Sequence, residues 1–189
     1  MVRPRTGGFA YSEADLSVML EDAAILLQHG AAGVAFGILC DDGRIDIERC
    51  QAMMHTIGPA ESVFHRAFDL TPDPAAALEE LIDLGVQRVM TSGHRPTALE
   101  GAPLIRRLIE QARGRIEVLA AGGIRPNNVR GLIAATGARE VHASLRGPRT
   151  DSSVRANPLM RFSAVTNPPE DQYDGTDQAM VAAMRAETR

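Results

Sequence analysis

His65 and Asp69 lie four residues apart in the run Phe64-His65-Arg66-Ala67-Phe68-Asp69. Read as the end of a strand, that run puts both side chains on one face and turns Arg66 to the other. An imidazole beside a carboxylate is the arrangement of general acid–base catalysis, the carboxylate orienting the ring. The structural reading is a buried, hydrogen-bonded His65 plugging the interior, with Asp69 capping the helix after Thr71-Pro72. Arg3 and Arg5 alternate with Val2 and Pro4, so both guanidinium groups share a face. They make either a fork for a carboxylate or phosphate or a pair of ion-pair braces. Gly122-Gly123-Ile124-Arg125-Pro126-Asn127 follows a strand-like run and opens a helix. Such a loop either offers backbone N–H groups to a phosphate, with Ser144 completing the cup, or makes a tight turn. His142 and Ser144 share a face of the last strand. Cys40 lies just past a strand end, and no metal-ligand spacing links it or Cys50 to His142.

The elements that must position these groups repeat. Gly30, Gly58, Gly85, Gly114 and Gly137 recur every 23–29 residues, each closing an apolar helical stretch ahead of a strand-like run. The runs are GVAFGI, SVFHRAF, VQRVMTS, IEVLAA and REVHAS. Strands alternating with helices predict a parallel sheet, and so regular a repeat favours a closed (β/α) barrel over an open doubly wound sheet. A first strand is expected at Val2 to Arg5. Helices are expected from a Ser12 cap with Asp15 three residues on, over about 46–57, from Thr71-Pro72-Asp73-Pro74, from Thr97 with Glu100, from Pro126, and over about 177–187. In the first helix Leu16, Met19, Leu20, Ala23 and Leu27 form the inward face. In the second, Ile47, Cys50, Met54 and Ile57 follow core spacing. Residues 145–175 read as a long polar loop. The chain therefore reads as a single α/β domain over 1–189, of (β/α)8 TIM-barrel type cut at the N-terminus to about six βα units. Two further units of about 27 residues each would bring it near the ~250 of a full barrel.

A 44% apolar content in 189 residues is enough for a sizeable core. The net charge of −4 and the lack of a basic stripe argue against nucleic acid, and no segment is long enough to span a membrane. With only two cysteines, a disulfide framework is not expected and a cytoplasmic location is the default.

Taken in order, Val2-Arg3-Pro4-Arg5 with Gly8-Phe9 and Tyr11-Ser12, then Phe64 to Asp69, Thr91-Ser92-Gly93, Gly122 to Pro126 and Val141-His142-Ala143-Ser144 resemble the CutC family of copper homeostasis proteins. The resemblance runs over nearly the whole chain and weakens after residue 145. It implies a cytoplasmic TIM barrel, often a homo-oligomer, with copper as its metal. It also implies a strand–helix–strand portion ahead of Val2 carrying the family's cysteine motifs, so those thiolates would not come from this polypeptide. The shared motifs add Arg66, Thr91, Ser92 and His142 to the ligand-binding candidates. Cys40 and His142 stand as metal-ligand candidates. The alternative is an enzyme acting on a small anionic or phosphorylated metabolite. There Arg3 and Arg5 would bind the anion, His65 and Asp69 would move protons, and Gly122, Gly123 and Ser144 would cradle the phosphate. The expected partner is a small molecule or a metal ion.

Overall fold

Up to residue 142 the chain alternates helix and strand, and each strand there pairs with the next. The computed structural model describes residues 1–157, 159–161 and 169–188. It divides into two compact units, one of residues 1–124 and 131–142, the other of 125–130 and 143–189.

In the first unit α1 (Glu13–Gln28) starts at a capping box. Ser12 Oγ accepts from the Asp15 N–H, and the Asp15 carboxylate accepts from the Ser12 N–H. This satisfies two otherwise orphan donors of the first turn. Leu16, Met19 and Ala23 form its buried face, with Leu20 and Leu27 half-buried. Next come β1 (Gly33–Phe36), α2 (Ile47–Ile57, capped by Asp46) and β2 (Glu61–Phe64). A short 3₁₀ helix over Arg66–Leu70 leads to α3 (Pro74–Asp83, capped by Asp73) and β3 (Arg88–Thr91). α4 (Ala102–Ala112), β4 (Glu117–Ala121), α5 (Val129–Thr136) and β5 (Val141–His142) follow. The sheet order is β1-β2-β3-β4-β5, every pair parallel, so the winding never reverses. That sequential, singly wound order is that of a TIM-barrel type fold. Among the described residues the barrel is not closed.

Between sheet and helices lies the core, in which Phe36 and Phe64 meet edge to face at 5.6 Å, and Phe68 is fully buried. On the opposite, N-terminal side of the strands Arg88 ties neighbours together. Its Nε donates to Glu140 at 3.0 Å and its Nη1 to Glu61.

Several boundaries differ from the sequence expectation. Residues 2–5 form no ladder. One bond, Val2 N–H to Ala35 O at 2.9 Å, holds them beside β1, and Pro4 has no N–H to offer. The Thr97–Glu100 pair builds its own capped turn, and α4 starts after it at Ala102. On α2 the buried face is Cys50, Met53 and Ile57, one residue round from the expected stripe, while Ile47 is exposed.

In the second unit part of the expected loop is a two-stranded antiparallel ribbon. β6 (Arg146–Thr150) pairs with β7 (Gln172–Thr176), Arg146 opposite Thr176 and Thr150 opposite Gln172. Residues 158 and 162–168 of that stretch lie outside the described residues. α6 (Gln178–Glu187) is capped by Asp177, whose carboxylate accepts from the Ala179 and Met180 N–H groups. No helix of the described residues is long and apolar enough to cross a membrane.

Candidate functional site

At the C-terminal ends of β2, β3 and β4, where a (β/α) barrel gathers its reactive loops, the sequence candidates separate into distinct roles. β2 ends at Phe64, and His65 becomes the cap of the 3₁₀ turn. Its Nδ1 accepts the Ala67 N–H at 3.1 Å. An Nδ1 that accepts has no proton, so the neutral ring carries its proton on Nε2. That Nε2 is buried and has no partner among the described residues, and the residue is only 5% exposed. Burial pushes the imidazole pKa down to about 4, helped by the positive charge of Arg3. His65 is therefore neutral at pH 7 and presents a donor, not a base. The ring lies over Gly37, where a Cβ would fall 2.4 Å from its Cε1. Phe9 packs on it with centroids 5.0 Å apart, and the Arg3 guanidinium sits 4.8 Å over Phe9.

Asp69 makes no hydrogen bond with His65. With the strand ended at Phe64, the period-2 alternation that would place both on one face no longer applies. The 3₁₀ turn carries Asp69 to the loop after β3 instead. Its Oδ1 accepts from Thr91 Oγ1 at 2.5 Å, the Ser92 N–H at 3.0 Å and the His94 N–H at 3.3 Å. Its Oδ2 accepts from Arg66 Nε at 2.7 Å and lies 3.0 Å from Ser92 Oγ. The carboxylate, 9% exposed, is the hub that orders residues 91–94. His94 is the residue that sequence reasoning misses at this site. It stands at φ +57, rare for a residue other than glycine, and its Nε2 is buried with no partner among the described residues.

Arg66 is fixed on one side only. Nε donates to Asp69 and Nη2 to Ser92 Oγ at 2.7 Å, while the side chain remains 43% exposed. Gly122 of the loop after β4 passes close by. A Cβ there would lie 3.5 Å from Arg66 Cζ and 3.0 Å from Ser92 Cβ, and its φ of +106 requires glycine. Gly123, also at positive φ, packs against Thr97. Thr91, Ser92, Arg66 and Gly122 thus come together, with Gly123 next in the chain.

Arg3, Arg5 and His142 take no part in that cluster. Arg5 is consumed locally. It donates to the carbonyls of Thr6, Gly8 and Ala10, pairs with Asp15 at 3.1 Å, and covers the Tyr11 ring. Arg3 donates to Gly7 O at 2.6 Å. The two arginines hold the loop of residues 6–11, not a shared fork. His142 is exposed on β5, the opposite edge strand of the sheet from β1, and Ser144 is exposed in the second unit.

For a metal, the thiols offer little. Cys50 is fully buried, its thiol donating to Ile38 O at 3.7 Å and its pKa pushed up by burial. Cys40, half-buried on the loop after β1, has its thiol pKa raised by burial and by the negative charges of Asp46 and Asp42. No group of three or more His, Cys, Asp or Glu side chains that could hold a metal ion exists among the described residues.

Against that geometry stand the similarities to known proteins. The model of the CutC family matches residues 1–147. A CutC family protein of Treponema denticola is 45% identical over 174 residues, 92% of this chain and 71% of its own length. The human protein named copper homeostasis protein cutC homolog is 43% identical over 186 residues, 98% of this chain and 68% of its own. Among solved structures, a CutC protein from Streptococcus agalactiae superposes with a TM-score of 0.72 at 30% identity, covering 75% of this chain and 69% of that one.

Proposed function

We propose that this chain, which belongs to the CutC family, takes part in copper homeostasis. The observation that carries the proposal is the 43% identity, over 98% of the chain, to a human protein named for that role. Both cysteines are free thiols, which suits a reducing compartment, and we place the protein in the cytoplasm. Copper is then a cargo and not a resident cofactor. Cu(I) favours sulfur and imidazole. The two candidate donors, Cys40 and His142, belong to opposite edges of the sheet, Cys40 on the loop after β1 and His142 on β5, with three strands between. The described residues therefore do not assemble a preformed multidentate copper site.

The test is Cu(I) titration of the purified protein against a competing chelator, with Cys40→Ser and His142→Ala beside the wild type. Stoichiometric uptake lost in Cys40→Ser places the ion on the loop after β1. Absence of uptake in the wild type would mean that any copper role is indirect and does not involve this polypeptide binding the ion.

A further inference from the structure

We propose that the barrel mouth of this chain holds a site for a small oxyanion, a carboxylate or phosphate group, gripped end-on by Arg66; the site is independent of copper. A guanidinium has five N–H donors in a rigid plane, and two of its edges present parallel pairs. The side-on edge of Arg66 is occupied, Nε by Asp69 Oδ2 and Nη2 by Ser92 Oγ, both at 2.7 Å. None of the described residues takes the remaining three N–H groups, two on Nη1 and one on Nη2. One N–H of Nη1 and the one left on Nη2 make the end-on fork that fits two oxygens of one carboxylate or phosphate.

Three features make this fork a prepared site. Asp69 and Ser92 lock its direction, and they are themselves held by Thr91, His94 and the Arg95 carbonyl, so little ordering remains to be done on binding. The Asp69 carboxylate faces inward, Oδ1 accepting from the Thr91 hydroxyl and the Ser92 N–H and Oδ2 from the Arg66 Nε–H, so the outer face of the ion pair is all donors. And the Arg66 side chain stays 43% exposed although Gly122 passes beside Cζ and Nη1, where a Cβ would come 3.5 Å from each.

The experiment follows the guanidinium nitrogens of the full chain by NMR while inorganic phosphate, or separately acetate, is added in low-chloride buffer. Saturable shifts of the Arg66 Nη signals with either anion are expected, and the anion that acts identifies which group the site takes. Arg66→Lys keeps the charge but cannot present two parallel donors. It is expected to weaken anion affinity, followed in both proteins by the backbone amide shifts of Ser92 and Gly122 beside the head group, at least about tenfold, the scale of one lost charge-assisted hydrogen bond. The wild-type titration stands on its own if that variant does not fold. Unshifted Arg66 signals with both anions would overturn the site. So would a folded Arg66→Lys protein with undiminished affinity.

Discussion

Lowering the pH toward 4 should weaken this fold by a separable amount through His65. Its imidazole is neutral in the folded chain, with a pKa pushed from 6.5 to about 4, chiefly by burial. In the unfolded chain it titrates near its ordinary value. Between those two values the unfolded state binds a proton that the folded state refuses, so stability falls as the pH falls from about 6.5 toward 4. Below about 4 the folded state accepts the proton too and the loss levels off. At roughly 1.4 kcal/mol per pH unit the full effect is about 3 kcal/mol, a large share of the 5–15 kcal/mol typical of a domain. At 5% exposure the ring has little solvent to soften it.

His65→Asn isolates this contribution. An asparagine oxygen can take over the Ala67 N–H that Nδ1 now accepts, keeping the cap while removing the titrating ring. Urea unfolding of both proteins from pH 7 to pH 4 cancels every other titrating group in the difference. The wild-type advantage over the variant should shrink by about 3 kcal/mol across that range. A long-range nitrogen–proton spectrum at pH 7 should show the proton on Nε2. A stability difference constant within roughly 0.5 kcal/mol, or a ring titrating near its ordinary value, would refute the argument from burial.

The Asp69 hub and the two thiols give further predictions. Asp69→Asn puts an NH₂ where either oxygen now faces only donors, so it should cost about 3 kcal/mol in urea unfolding; a loss under about 1 kcal/mol would mean the loop after β3 orders itself without the carboxylate. Native protein should react with a thiol reagent at Cys40 alone and slowly, its pKa being raised, while Cys50 should label only after denaturation. Two fast-labelling thiols in the native state would contradict the burial of Cys50 behind α2.

Much of the scaffold is legible in the sequence because its signals are local. Ser12 with Asp15, Asp46 and Asp73 each cap the helix they precede. The glycine before each strand run marks a helix end, and the strands pair in chain order. The ribbon of β6 and β7 is not legible. Arg146-Gly147-Pro148-Arg149-Thr150 and its partner are exposed along nearly their whole length, so no apolar alternation announces them. The site is half legible for a related reason. Residue types mark His65, Arg66, Asp69, Thr91 and Ser92, but who touches whom depends on where β2 stops. Ending the strand at Phe64 sends Asp69 to partners 22–25 positions away, a contact with no local signature. Arg3 and Arg5 form no fork for the opposite reason. Nearby loop carbonyls are available, and a long side chain satisfied by its own loop has no need of a distant ligand.

The protonation states decide what kind of ligand this mouth can take. Asp69 has its oxygens saturated, Arg66 carries only donors, and His65 keeps its Nδ1 lone pair for a backbone N–H while Nε2 holds a proton. For His65 to serve as a base or to ligate copper, it would have to give up the Ala67 bond and change tautomer inside a packed layer of Gly37 and Phe9. Cu(I) needs lone pairs, and an oxyanion needs donors. The thiol that could meet copper lies on the loop after β1, while the donors lie after β2 and β3. Copper handling and the barrel mouth are therefore separable properties. A variant that loses Cu(I) at Cys40 should leave anion binding at Arg66 intact, and the converse should hold. Joint loss in both variants, with the fold preserved, would require a single site that the tautomer of His65 argues against.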